Sequence, residues 1–251
     1  MILLLGNYPA DQQQSMQRFA HLMLRGLTTA GIEADLIQPQ PFLGRIAFAG
    51  PFVRKWLGYV DKFLFFPRQL KGRVRAGTDL VHICDHSSAM YCARVRKCPT
   101  VVSCHDLLAV RGALGEETDC PASATGKYLQ RWIVSGLRKA SAIACASPAT
   151  LRDAQRIVRQ NEGRPQLLLI HHGINYPYQR QTPERARRSL AKIEGLDLNR
   201  PFALHVGSNL RMKNREGVLR IFALTKKEWK GQMVFAGQKL TPELYSLGKE
   251  L

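Results

Sequence analysis

The chain has 251 residues, 45% of them apolar, and a formal net charge of +18 from 37 Lys and Arg against 19 Asp and Glu. That length holds one large domain or two small ones, and the apolar share excludes wholesale disorder. The cations are spread along the chain rather than packed into an arm, and no zinc-finger, RNP or basic-zipper pattern accompanies them, so nucleic acid is not an expected partner. No apolar run approaches the roughly 20 residues of a membrane-spanning helix.

Met1-Ile2-Leu3-Leu4-Leu5-Gly6 lacks a basic leader and is too short for a signal-peptide core, so it reads as a buried first strand of a cytoplasmic protein. The loop after it contains no G-x-G-x-x-G, which removes the main support for a dinucleotide dehydrogenase. Its polar residues, Asn7 first among them, lead into a helix over Gln14–Ala30, where a phosphate or hydroxyl can be met. A strand is expected at Ala34–Ile37. Residues 42–75 then interleave aromatics (Phe48, Phe52, Trp56, Tyr59, Phe63, Phe65, Phe66) with cations (Arg45, Arg54, Lys55, Lys62, Arg68, Lys71, Arg73, Arg75). Such a mixture suits the headgroup zone of an anionic membrane, or a core helix over 53–70 with a solvated basic face.

Further strands are expected at Leu80–Ile83, Thr100–Cys104, Ala142–Cys145 and Leu167–Ile170, with helices at Ser87–Arg96, Gly126–Lys139 and Pro148–Arg159 between them. Ser147-Pro148 is a helix start, Ser as N-cap and Pro at the first helical position. This alternation predicts an α/β fold with a parallel sheet covered by helices on both faces. Asp85-His86-Ser87 and His105-Asp106 fall at the ends of neighbouring strands, where a His and an Asp can hydrogen-bond a sugar or orient an acceptor hydroxyl. The six cysteines show no C-x-x-C pair and no metal-ligand spacing; they read as reduced, mostly buried thiols.

The character changes after Tyr178. An Arg-rich linker over 179–200 carries one helix, Pro183–Ile193, and a second unit occupies 201–251. It opens with a strand at Phe202–Val206, a helix at Gly217–Lys227, a strand at Gln232–Ala236 and a last helix from Pro242. Between the first strand and helix lie Gly207, Ser208, Arg211, Lys213 and Asn214. Small residues directly after a strand, then two cations ahead of a helix, suit a diphosphate.

Four blocks carry a resemblance. They are His205-Val-Gly207 through Lys213-Asn214 with Val234-Phe-Ala-Gly237; Val102-Ser-Cys-His105-Asp106; Cys145-Ala-Ser147 with the helix start at Thr150–Asp153; and Ile170-His-His-Gly173-Ile-Asn175. In this order and separation the chain resembles family 4 glycosyltransferases of GT-B fold. The resemblance implies a complete N-terminal Rossmann-like, acceptor-side domain (1–178) and the beginning of a nucleotide-sugar-binding domain (201–251), as in a chain cut short. It implies a retaining transferase that moves a sugar from a nucleotide-sugar to an acceptor between two Rossmann-like domains. His105 and Asp106 would then be catalytic, His105 facing the transferred sugar. Lys213, with Arg211, would stabilise the departing diphosphate together with Gly207, Ser208 and Asn214. Asn7, Asp85, His86 and Ser87 would stand on the acceptor side. No metal or other cofactor is implied beyond the nucleotide-sugar co-substrate. Acceptors in this family are often lipid-linked, or polysaccharide precursors, which would give residues 42–75 a place on the inner face of a membrane. The match departs at Ser208 and Met212, where many members carry Arg. Glu243 and Glu250 have six residues between them and read as surface carboxylates rather than the family's Glu pair. The rival expectation is a non-catalytic module, derived from the same domain, that binds a membrane or a partner.

Overall fold

The computed structural model describes residues 1–45, 50–74, 77–95, 97–158, 165–174 and 178–251; Phe48, Arg75, Arg96, Arg159 and 175–177 lie outside the described residues. The chain forms two compact units, Met1–Tyr176 and Pro177–Leu251.

The first unit is built on six parallel strands: β1 (Ile2–Leu5), β2 (Ala34–Ile37), β3 (Leu80–Ile83), β4 (Thr100–Cys104), β5 (Ala142–Cys145) and β6 (Gln166–Leu169). Their order is β2-β1-β3-β4-β5-β6. Leu3, Leu4, Leu5, Val81, Ile83, Val102, Cys104, Ile143 and Cys145 are all buried. Consecutive buried positions on β1 mean that helices cover both faces, as a parallel sheet requires.

One face is covered by α1 (Gln14–Thr29), whose Phe19, Ala20, Met23, Leu24 and Leu27 recur at helical spacing and pack on Ile2, Leu4, Leu36 and Cys84. The main core includes α3 (Phe66–Arg73), a 3₁₀ segment at His86–Arg94, α4 (Leu108–Ala113), α5 (Ala124–Leu137) and α6 (Pro148–Ile157). Nine residues is long for a 3₁₀ run. Here the Asp85 side chain caps it through Ser87 N, and Ala89, Met90, Tyr91 and Cys92 are buried in it. At Gly136 of α5 the two elements nearly touch, since a Cβ there would collide with the Ala89 backbone. Ser147 caps α6 by accepting from Thr150 N, as the Ser-Pro start predicts.

The expected helix over 53–70 is present as α2 (Pro51–Val60), a π-helical turn at Asp61–Phe65, and α3. The π turn coincides with a buried carboxylate. Asp61 is 1% exposed and accepts from Tyr8 Oη (2.7 Å), Gly44 N (2.9 Å) and Leu43 N (3.1 Å). The core reading holds for only part of this segment: Phe66 and Leu70 are core, while Phe52, Val53, Trp56, Leu64 and Phe65 are exposed. Among the described residues no helix is long and apolar enough to cross a membrane.

The second unit contains α7 (Pro183–Leu190), β7 (Phe202–Gly207), α8 (Arg215–Thr225), β8 (Gln232–Gly237) and α9 (Pro242–Glu250). The helix expected in a linker thus belongs to this unit. β7 and β8 pair in parallel from Phe202–Gln232 to Gly207–Gly237. Gly237 has φ of 105°, and a Cβ on it would lie 2.5 Å from Gly207 O, so both backbone angle and space demand glycine there.

Candidate active site

The order of the first sheet reverses at β1, with β2 on one side and β3 on the other. Open parallel sheets collect ligands beyond the carboxyl ends of the strands at such a switch point. Asn7 follows β1 and Asp85 follows β3, and the fold joins them: Asn7 Nδ2 donates to Asp85 Oδ2 and to Gln13 Oε1, both at 2.6 Å. Asp85 also accepts from Ser87 N (3.1 Å) and Ser87 Oγ (2.6 Å), and His86 Nδ1 lies 3.1 Å from its Oδ1. Burial opposes a charge on Asp85, yet the neighbouring His86 imidazole, with donation from Ser87 and Asn7, holds its carboxyl well below the usual range. The same pairing outweighs burial at His86 and pushes the imidazole up. Both nitrogen donations from Asn7 are used, whereas its Oδ1, also buried, has no partner among the described residues.

His105, after β4, stands beside this cluster. Its Nε2 is 2.9 Å from Cys84 O and its Nδ1 is 2.7 Å from His172 Nε2. A carbonyl only accepts, so His105 Nε2 carries a proton. With both rings neutral, Nδ1 then accepts from His172 Nε2–H, and His172 Nδ1 keeps the lone pair. Phe19 packs against both rings at 4.8 Å. Burial, with His105 and His171 nearby, lowers the pKa of His172 and favours this neutral arrangement. Asp106 is exposed and its Oδ1 accepts from Leu108 N at 3.0 Å, which starts α4. The two residues paired by sequence therefore have separate partners.

Beside Asn7 two adjoining hollows of about 210 and 490 Å³ share Tyr8, Asp11, Lys62 and Leu129. The smaller reaches Asn7, Gln13 and Ser87; the larger opens past Arg54, Lys55 and Tyr59. Lys62, placed by the π turn, pairs with Asp11 at 2.9 Å and lies 5.0–6.0 Å from the ring centres of Tyr59, Tyr8 and Phe63. Burial and the bond to Asp61 push the Tyr8 phenol above its ordinary pKa. Apolar ring faces beside convergent amide, carboxylate and ammonium groups are a surface on which a sugar can lie.

In the second unit the loop after β7 holds the candidate phosphate groups. Arg211–Lys213 form a 3₁₀ turn, and Asn214, at φ 44° and ψ 48°, caps α8 by accepting from Gly217 N (3.0 Å). Asn214 thus spends its side-chain oxygen on the helix. The stem of Lys213 passes over Gly207, its Cγ 3.6 Å from where a Cβ would stand, and its ammonium has no partner among the described residues. Ser208 sits between Gly207 and Asn209, which is tied to Gln238 and Lys239 by its own amide groups. Glu243 and Glu250 are exposed on α9. Among the described residues no group of three or more His, Cys, Asp or Glu could hold a metal ion.

The α/β fold carries a polar cluster at its switch point and, among the described residues, an unpartnered cation at a strand–helix loop, and the comparisons say which family this arrangement belongs to. The model of the family described as Glycosyltransferase Family 4 matches residues 16–190. This chain belongs to that family. Its fold is the GT-B type. The structure of Phytolacca americana UGT2 complexed with UDP-2fluoro-glucose and pterostilbene matches at TM-score 0.56 and 8% identity, over 96% of this chain and 71% of that one. A UDP-glucose: anthocyanidin 3-O-glucosyltransferase in complex with UDP matches at TM-score 0.52 and 10% identity, over 98% and 68%. A comparison with curated proteins gives no match.

Five residues of the candidate site escaped the sequence reading. His172 sits in a quoted block, but nothing local pairs it with His105, 67 positions away. Tyr8 and Asp61 meet across 53 positions, and Lys62 looked like one cation among many. Arg215 was passed over between the loop ending at Asn214 and the helix expected from Gly217, and it is 3% exposed.

Proposed function

We propose that this transferase is a retaining glycosyltransferase that takes a nucleotide-sugar as donor and a lipid-linked or polysaccharide-precursor acceptor. The donor's diphosphate is met by the backbone of Gly207 and Ser208 and by Arg211 and Lys213, which take the charge-stabilising role without a metal or other cofactor. The observation that carries this reading is the Lys213 side chain, whose stem lies over Gly207 at a strand–helix loop and whose ammonium has no partner among the described residues. A cation so placed stabilises the negative charge that develops on a leaving diphosphate. Asn214 contributes by shaping the loop.

The acceptor lies in the hollow beside Asn7. The buried, unpartnered Asn7 Oδ1 asks for a hydroxyl donor, and a sugar hydroxyl supplies one. Asp85, His86 and Ser87 fix that amide in place. His105, with both ring nitrogens engaged, acts through His172, whose Nδ1 lone pair is the acceptor the couple presents to a substrate hydroxyl. Asp106 orders the start of α4 next to it. The exposed Phe52 and Trp56, with Arg54 and Lys55, rest on an anionic membrane surface beside the larger hollow, bringing a lipid-linked acceptor to it.

Transfer of radiolabelled sugar from nucleotide-sugars into lipid extracts tests the reading. Wild type is expected to label a lipid fraction, with the anomeric configuration of the donor kept in the product. Lys213→Ala is expected to lose roughly 10²–10³ in rate, the typical cost of removing one preorganised charge-stabilising group. No transfer from any common donor, or an unchanged rate for Lys213→Ala, overturns it.

A further inference from the structure

Arg215 is the first residue of α8, yet its side chain is folded inside the second unit. Its Nη1 donates to Asn209 Oδ1 (2.6 Å) and Gln238 O (2.7 Å), and its Nη2 to Gly207 O (2.6 Å), with Ala236 O at 3.5 Å. Its Nε, buried as well, has no partner among the described residues. The guanidinium lies 5.5 Å from the centre of the Phe235 ring. Among the described residues no carboxylate pairs with it.

A buried cation without a counter-ion is costly, and a structural clamp for carbonyls does not require one. The position explains the charge. The oxygens it covers stand at the carboxyl ends of β7 and β8 and in the loop between β7 and α8. Left uncovered, they would face an approaching phosphate with their negative ends. Bound to a guanidinium, they become the underside of a positive platform. Gly207 is flanked by two cations, with the Lys213 stem against its α-carbon and Arg215 on its carbonyl. Asn209 is held from three directions, by Arg215, Gln238 and Lys239, which ties the loop to the residues that follow β8.

We propose that Arg215 is a positioning residue of the donor site: it locks Gly207–Asn209 in place and supplies the fixed positive charge that a diphosphate meets beneath Lys213. This rests on the reading that the loop after β7 takes the donor's diphosphate. The consequence is a division of labour. Lys213 neutralises the anion by contact, whereas Arg215 acts through the backbone it holds.

Calorimetric titration of the full chain with inorganic pyrophosphate and with UDP tests this, with thermal unfolding measured on every variant. Wild type is expected to bind both. Lys213→Ala and Arg215→Gln are each expected to weaken pyrophosphate roughly tenfold or more, and both to flatten the salt dependence of its affinity. Arg215→Lys, which keeps the charge but loses the planar fork that holds the loop, is expected to recover part of the affinity that Arg215→Gln loses, a rescue that a purely structural clamp does not give. Arg215→Gln that is folded and binds like wild type overturns the proposal. So does Arg215→Lys that is folded yet as weak as Lys213→Ala, and this variant decides the matter if Arg215→Gln fails to fold. Wild type that binds neither probe overturns the donor-loop reading itself, and this inference with it. Weakening by Lys213→Ala alone overturns only the role of Arg215.

Discussion

Replacing Asp85 with alanine removes the hub that joins β1 to β3 at the switch point. The carboxylate is 3% exposed and satisfies Ser87 N, Ser87 Oγ and Asn7 Nδ2, with His86 beside it. Asn7 keeps Gln13 as a partner and Ser87 is only partly buried, so these groups recover some of the loss. His86 does not, since its counter-ion is gone. Breaking one side of a buried, hydrogen-bonded pair costs about 3–5 kcal/mol. For a unit of this size each kcal/mol lowers Tm by roughly 2–4 °C, so a fall of about 6–20 °C is expected by calorimetry or circular dichroism. The effect has a pH signature. The folded-state pKa of Asp85 is depressed, so its contribution is full above about pH 4 and is lost as pH falls toward the folded value. That of His86 is raised, so its share is full below about pH 6.5 and is lost as pH rises through the folded value. The gap between wild type and Asp85→Ala should therefore be widest between about pH 4 and 6.5. A variant within about 1 kcal/mol of wild type across that window would refute the account of Asp85 as the pin between β1 and β3.

Other expectations follow from single positions. His82 is bonded to Ser103 at 2.9 Å, and burial, with His105 nearby, lowers its pKa to about 4. Because the unfolded chain takes up this proton first, stability should decline below pH 6.5 by about 1.4 kcal/mol per pH unit and level off near pH 4. His82→Asn should remove that slope in acid titrations monitored by urea unfolding; a slope left intact assigns it elsewhere. Gly136→Ala should force α5 away from the Ala89 carbonyl and cost about 1–3 kcal/mol, visible as a lower urea midpoint with unchanged m-value. Wild-type stability in that variant would contradict the close approach. Phe52→Ser with Trp56→Ser should leave unfolding unchanged, since the two are 73% and 49% exposed, but weaken sedimentation with phosphatidylglycerol vesicles roughly tenfold or more. Equal binding of wild type to neutral and anionic vesicles would sink the membrane face.

The strands of the first unit were legible because a short apolar run between polar loops reads the same way in isolation and in the sheet. Ile2–Leu5, Leu80–Ile83 and Thr100–Cys104 agree to the residue, and β6 is displaced by one because Gln166 continues the ladder despite its polarity. Ser147-Pro148 was legible for a local reason, since cap and first turn lie within four residues. The helix α4 was not, because six residues with a glycine among them offer too little periodicity. Asn7, Asp85, His86, Ser87 and His105 were found from the rule that strand ends carry chemistry, and the structure brings them to one edge. What joins them was invisible, since the bonds from Asn7 to Asp85 and from His105 to His172 depend on which strands are neighbours. Arg215 was passed over because nothing in the sequence sets it apart from the other cations near the helix start, and only the fold turns it inward.

The π turn at Asp61–Phe65 has one more consequence. A single wide turn within an α-helical rod advances its phase by about one residue, some 100° of rotation. The two halves of the rod can therefore answer to different demands, Phe66 and Leu70 to the sheet and Phe52 and Trp56 to the outside. Deleting one residue within the turn would restore an unbroken helix and swing the aromatic pair about a quarter turn away from its present heading, at the cost of disturbing the bonds that Asp61 accepts there. Direction of the outer face is thus encoded by length at one spot, separately from the composition of either half, so variants that shift it can arise by insertion and deletion alone.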